Sequence, residues 1–453
     1  MNASPVISDT KTMADFRPFQ SWRYNPGKVD LQEVIAPPYD IISPMEQRQL
    51  HELSPYNCVR LILNQETSSD DELNNRYTRA RDFFQSWRCN EVLMREPKPA
   101  YYLYRQIFKD PYDGDVKKRF ALFGVLKLES YEKGIVVRHE KTLSKPREDR
   151  KKLLEATHTN FSPVFGLYED TPKKLAAIYQ GVASKPPLFE VQDGAGVRHE
   201  VWVLDDANLN QKIHQILSEK KIYIADGHHR YQTALDHGRA RRLAENIPEG
   251  TEIPSDFVLM ALVEFHDPGL VIYPTHRMIT SFESASKVAF ERQSADEITR
   301  VLNDDFEVEK ADKNSLIGKL GGKAADRIAF GLRIKGGAYI LTLKDWKRSR
   351  NKMPAGKPDI WYQVDVNILG HLVFASLFGM PENKWEGILQ YTHSNEDAMA
   401  AAETGRAQAV FLLRAPKVEV LRDMGKAQEL LPQKSTYFYP KLASGLVFYH
   451  HDS

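Results

Sequence analysis

The chain has 453 residues, enough for two or three domains, and its 42% hydrophobic and 27% charged content is ordinary for a soluble globular protein. A formal net charge of +1 supplies no global field for nucleic acid or a membrane surface, so neither is expected as a partner. The two cysteines, Cys58 and Cys89, allow one disulfide but support no secreted disulfide framework, and they exclude a Cys-rich zinc site.

The chain start lacks the apolar core of a signal peptide, and the most apolar run, 257–265, is too short to span a bilayer. The expectation is a cytoplasmic protein, bacterial in style. Residues 1–15 read as a flexible N-terminus, and 16–24 as an aromatic-rich first ordered segment. Pro37 and Pro38 then force extended backbone and present Tyr39 and Asp40 at a rigid bend. Ser43, Pro44 and Glu46 have the N-cap, N1 and N3 identities of a helix start. The pattern continues with a short strand at 59–63, a helix at 70–88, and paired strands at 101–108 and 118–128.

A strand beginning at Val136 runs into His139, Glu140 and Lys141. Alternation puts His139 and Lys141 on one face, as a mixed-charge surface strand or a phosphate-contacting edge. A helix at 146–157, a strand at 162–168 and a helix at 173–183 follow. The segment 185–196, rich in Pro and Gly, reads as a loop before a strand at 201–204 and a helix at 209–219.

The chain is organised around the next stretch. Lys221, Ile222, Tyr223, Ile224 and Ala225 read as a buried strand, and Asp226-Gly227 as a turn. A helix begins after it, with Tyr231, Ala234, Leu235 and Gly238 at i, i+3, i+4 and i+7. Asp226, His228, His229 and Arg230 thus sit at a strand-to-helix junction. The free amides and positive dipole end of the first turn attract anions there. Gly227 lets backbone approach a ligand or adopt positive φ.

Residues 257–265 read as a central strand, returning through 270–274 as a hairpin that ends in Thr275, His276 and Arg277. This is a second place where imidazole and guanidinium meet at a strand end, and it would line the same pocket if both ends face one way. Beyond it come a helix at 294–303, a strand at 306–309, a loop at 318–322 and a hairpin of 328–334 with 338–343. An apolar helix at 365–378 carries His371 as a packed core histidine. A strand end at 390–394, a helix at 396–405, a strand at 409–413 and a helix at 418–429 follow. In the tail, Lys434, Ser435, Thr436 and Lys441 either hold a phosphate or cap a loop against the core.

No phosphate-binding P-loop, dinucleotide fingerprint, zinc-protease helix, nucleophile elbow or kinase signature set is present. Hairpins mixed with strand–helix units fit an α+β (mixed α/β) fold. The expected organisation is an N-terminal α+β region over 16–200, a central core over 201–300 and a C-terminal α+β region over 301–453, with boundaries free to interleave into one domain.

The blocks at 35–43, 138–142, 225–235, 267–277 and 434–441 resemble the signature blocks of the bacterial domain of unknown function 1015 family, in order along most of the chain. Asp226-Gly227-His228-His229-Arg230 is also similar to the Gly-x-x-Arg box of ParB and sulfiredoxin-like proteins, with Gly227 and Arg230 matching the Gly and Arg. His228 stands where sulfiredoxins have their reactive Cys, which rules out their thiol chemistry. The resemblance implies a central ParB/sulfiredoxin-like strand-turn-helix unit and a nucleotide (ATP, ADP or CTP) with Mg²⁺.

The resulting expectation is a nucleotide-dependent phosphotransferase or phosphohydrolase acting on a small phosphorylated metabolite, with serine or phosphoserine implied by the superfamily alone. Asp226, His228 and His229 are the catalytic candidates; Gly227, Arg230, His276 and Arg277 are the phosphate-binding candidates. The alternatives are a nucleotide-binding regulatory protein without turnover and a metal-dependent hydrolase using Asp226, His228 and His229.

Overall fold

The computed structural model describes residues 14–140, 144–281, 295–323 and 326–451. The expected flexible segment up to residue 13, together with Lys141, Thr142 and Ser294, lies outside them. The fold is α+β, and the described residues fall into two compact units, one from within 1–138, 142–271 and 440–453, the other from within 139–141 and 272–439.

The first unit is built on a nine-stranded sheet. Its strands are β1 (Phe16–Arg17), β2 (Tyr101–Lys109), β3 (Val116–Lys127), β4 (Val136–Val137), β5 (Val164–Tyr168), β6 (Phe189–Gln192), β7 (Arg198–Leu204), β8 (Ile222–Asp226) and β9 (Phe257–Glu264). They lie in the order β4-β8-β5-β9-β3-β2-β7-β6, with β1 paired to β3. β9 runs parallel to β5 and antiparallel to β3, and it is buried from Phe257 through Val263. That position explains its unbroken apolar run: with both faces covered, no polar alternation survives.

Four helices of this unit matter for the site. Helix α1 (Pro44–Leu53) starts with the capping box of Ser43 and Glu46 that its sequence announces. Helices α2 (Arg76–Cys89) and α3 (Ser144–Thr157) pack against each other, and α3 packs on α4 (His228–Ala244). Phe84, Trp87, Leu153, Phe161 and Phe448 share one apolar cluster; Leu122, Ile224, Tyr231, Ala234 and Met260 share another.

Several local expectations are corrected. Val59–Ile62 is a helical turn, not a strand, because Asn57 accepts from the Val59 amide and donates to the carbonyls of Glu33 and Ile35, which closes a turn. The Pro- and Gly-rich segment expected as loop contains β6, held by its antiparallel pairing with β7. The strand after β9 does not return as its hairpin partner; Val271–Tyr273 pairs with Tyr437–Tyr439. Asp267 shapes the turn instead, accepting from the Gly269 and Phe120 amides. Leu316–Gly321 is a helix rather than a loop, because Leu316 and Leu320 are buried in a small apolar cluster.

The second unit has a six-stranded antiparallel sheet of β10 (His276–Ile279), β11 (Phe306–Ala311), β12 (Ala329–Ile334), β13 (Gly337–Leu343), β14 (Leu389–Thr392) and β15 (Ala409–Leu412). Their order is β11-β13-β12-β15-β10-β14, and the β12–β13 hairpin is the one expected. The expected apolar helix from Asp365 is helical, but Ile368–Leu377 winds as a π-helix. Its Ile368, Leu369, Leu372 and Phe374 are buried in the main apolar cluster of this unit. His371, expected as a packed core histidine, is half-buried, with its ring tilted against Trp361 at a centroid distance of 4.8 Å.

Candidate anion site at the start of helix α4

The four apolar residues Ile222–Ala225 hold β8 in the core. Pairing with β5 shifts register between Ile224 and Asp226, an irregularity of the kind that re-aims a side chain at a strand end. Gly227 follows at φ 87°, in the left-handed region, and caps α4 without a side-chain hydrogen bond. The first-turn amides of a 17-residue helix therefore open without a side-chain cap. Tyr231 anchors that turn: it is buried, and its hydroxyl donates to the Glu129 carbonyl at 2.8 Å. Further along, α4 approaches Ser255 so closely that a Cβ on Gly238 would lie 2.6 Å from its carbonyl oxygen.

Asp226 is held between two cations. Its Oδ2 accepts from Arg230 at 2.8 Å, and its Oδ1 accepts from the Lys441 ammonium at 2.9 Å. Arg230 also donates to the Pro163 carbonyl. The side chains are 21% exposed for Asp226, 12% for Arg230 and 8% for Lys441. Burial pushes the Asp226 carboxyl up, but Lys441 and Arg230, with a smaller pull from His228, outweigh it and hold it well below the usual carboxylate range. The group stays ionised, and two cations share one carboxylate. The Arg230 guanidinium lies over Gly227, where a Cβ would sit 2.9 Å from Nε. His228 is buried and His229 partly so.

The Tyr39 bend belongs to the same unit. Arg150, from α3, lies 3.7 Å above the Tyr39 ring centre. Burial raises the Tyr39 phenol to about 12, against the opposing pull of Arg150 and, more weakly, Arg230. Ser444 bridges to Ala36, and its hydroxyl meets that of Ser162 at 2.7 Å. The blocks at 35–43, 225–235 and the Lys441 end of the tail therefore converge around β8 and α4.

His276 and Arg277 lie on β10 in the second unit, both buried. The His276 ring accepts from the Leu413 amide at 3.1 Å and pairs with Asn395 Oδ1 at 2.9 Å. Burial lowers it to about 4. Arg277 donates to the Thr275 carbonyl and covers the Tyr391 ring. In the same unit the Glu140 carboxylate accepts from the Ser435 amide at 3.1 Å and the Thr436 amide at 3.3 Å. The amides that a phosphate would use there are occupied by that carboxylate, so this part of the tail acts as a loop clasp.

Among the described residues, no three His, Cys, Asp or Glu side chains gather closely enough to hold a metal ion. Both Asp226 oxygens are committed to cations, so Asp226 is a poor fit for a Mg²⁺ or zinc ligand. Among the described residues no helix is long and apolar enough to cross a membrane. Sequence reasoning placed Lys441 only in a block with phosphate-binding capacity and missed Arg150. Neither pairing has a local signal, since Lys441 is 215 positions from Asp226.

Fold and site together define an α+β protein with a positively charged, glycine-capped strand–helix junction. The chain belongs to the family described as protein of unknown function (DUF1015), whose pattern matches residues 16–367. No curated protein matches it. Among solved structures it is similar to a conserved hypothetical protein from Pyrococcus furiosus, at 15% identity and TM-score 0.32, over 68% of this chain and 89% of that one. It is similar to a free serine kinase mutant in complex with ADP at 14% identity and TM-score 0.35, over 73% and 91%. A C-terminally truncated SbnI from Staphylococcus aureus gives 8% and 0.36, over 72% and 86%.

Proposed function

We propose that the protein is a nucleotide-dependent phosphotransferase or phosphohydrolase acting on a small metabolite or its phosphate ester. The observation that carries the reading is Asp226 bracketed by Arg230 and Lys441 at a helix start that has no side-chain cap. Phosphoryl transfer needs little covalent help from a protein; it needs positioning and positive charge where the transferring oxygens gather charge. The α4 amides and the spare donors of Arg230 supply both. Asp226 positions the two cations rather than taking a proton, since its carboxyl is held ionised. His229, partly exposed at the second position of α4, is the acid–base candidate, because imidazole titrates near neutral pH. His228, buried beside Asp226, supports that turn.

The similarity of Gly227 and Arg230 to the ParB/sulfiredoxin box supports a nucleotide as the phosphate source, with Mg²⁺ arriving on the nucleotide. Serine or phosphoserine is the first substrate pair to try on that basis. The test is a panel of nucleotides and phosphometabolites scored for phosphate release and transfer, with Arg230→Ala and His229→Ala in parallel. Arg230→Ala is expected to abolish nucleotide binding, and His229→Ala to keep binding while turnover falls about 100-fold or more. Full activity and binding in both variants would sink the reading. Binding without product in the wild type would move the protein to the nucleotide-sensing class.

A further inference from the structure

A cavity of about 50 Å³ lies between Arg150 and Arg230. Ile62, Leu153, Phe161 and Val258 give it an apolar wall; Ser162 and Thr233 bring hydroxyls. Each arginine is anchored from behind by a carboxylate. Arg150 donates to Asp149 from Nε at 2.8 Å and from a terminal nitrogen, and to the Ile62 carbonyl at 2.8 Å. Arg230 is anchored by Asp226 and Pro163 as described above. A guanidinium has five N–H donors; these bonds use three on Arg150 and two on Arg230, so both keep donors for a ligand.

The charge arithmetic is the stronger point. Asp149 is shared between Arg150 and Arg76, just as Asp226 is shared between Arg230 and Lys441. Two cation–carboxylate–cation triads therefore contribute the two arginines of one small cavity. Glu66, which meets Arg76 at 3.0 Å, is 69% exposed and screened by solvent. Arg150 is itself 8% exposed and fixed in plane by the Tyr39 ring, an expensive burial for a residue that serves packing alone. The small volume suits a few waters or the oxyanion head of a compact ligand.

We propose that this cavity is a subsite for the oxyanion head of the small second substrate, a carboxylate or phosphate group, separate from the nucleotide phosphates at the start of α4. The inference rests on the anion-binding reading of α4 and deepens it by naming the chemistry of the partner substrate. Arg230 then faces both ligands, and Arg150 faces the small one only. After its bonds to Asp149 and Ile62, Arg150 keeps one N–H on each terminal nitrogen, and these are the donors an oxyanion would take.

The test is calorimetric titration of the full chain with inorganic phosphate, with acetate and, separately, with ADP. The wild type is expected to bind phosphate or acetate, and whichever binds more tightly identifies the head group. Arg150→Met is expected to weaken that binding about tenfold or more while ADP affinity stays within about twofold. Arg150→Lys is expected to recover part of the loss. Circular dichroism checks the fold; if Arg150→Met is unfolded, Thr233→Val takes its place, with a smaller expected loss of the same probe. The proposal is overturned if the wild type binds neither small anion, if the folded variant binds it as before, or if ADP affinity falls in step. ADP binding untouched by Arg230→Ala marks instead a failure of the α4 reading itself.

Discussion

The Asp226 junction and the start of β10 look alike as text: each is a strand end where histidine stands beside arginine. Their structures differ in what comes next along the chain. After Asp226 a left-handed glycine opens a helix with no side-chain cap, and the arginine folds back over the glycine. His276 and Arg277 are instead the first two residues of a strand paired on both sides, to β14 and β15. There the imidazole spends both nitrogens on Leu413 and Asn395. The lesson is that the same polar pair can open a helix or be sealed into a ladder, depending on the backbone that follows it. Inside a ladder the same pair becomes a buried network that holds strands in place.

The contrast can be broken most forcefully at its carboxylate. Asp226→Ala removes the carboxylate that Arg230 and Lys441 share, and a loss of about 4 kcal/mol is expected in urea unfolding. A loss below about 1 kcal/mol would mean that the triad is a solvated surface pair. Acid separates the two places next. Burial, with Arg277 adding to it against the Asn395 bond, lowers His276 to about 4 from its ordinary 6.5. The unfolded imidazole takes up its proton first as pH falls, so stability present above 6.5 is lost between 6.5 and 4, on the order of 3 kcal/mol. His276→Leu is expected to flatten the stability–pH curve in that window. The depressed Asp226 carboxyl gives stability that is present above 3.8 and lost only as pH falls further, so Asp226→Asn changes the curve's shape only below that value. A reversal of these two windows would refute the assignment of roles.

The smallest expected effect is at the glycine. Gly227→Ala puts a side chain at φ 87° and against the Arg230 guanidinium. A cost of about 1–2 kcal/mol is expected in thermal unfolding, with nucleotide affinity falling further than stability because Arg230 is displaced. An alanine variant that binds ADP like the wild type would show that Arg230 need not lie over this position.

Much of this was legible beforehand because it is local. The strand 222–225, the turn and the helix after it follow from an apolar run, an Asp-Gly pair and a 3.6-residue period. The Ser43–Glu46 cap and the β12–β13 hairpin are equally local. What sequence reasoning missed is decided by partners far along the chain. β6 exists because β7 lies beside it, and Val271–Tyr273 is drawn to Tyr437–Tyr439 instead of β9. The short apolar run at 59–62 fits either period, and only the Asn57 side chain settles it. At the site, the glycine and arginine could be read from the chain, but the second cation could not. Lysines are common, and nothing around Lys441 announces a carboxylate 215 residues earlier.

That distance has a consequence for biosynthesis. Val447, Phe448 and Tyr449 are buried, Tyr449 pairs with Asn160, and Phe448 bridges to Trp22, so the segment carrying Lys441 is threaded into the first unit by its own backbone bonds. On the ribosome, β8 and α4 emerge long before this segment does. Until it arrives, Asp226 keeps its bond to Arg230 and lacks the one to Lys441. A chain interrupted before residue 441 therefore carries the whole Asp226–Arg230 box without the ammonium that shares its carboxylate.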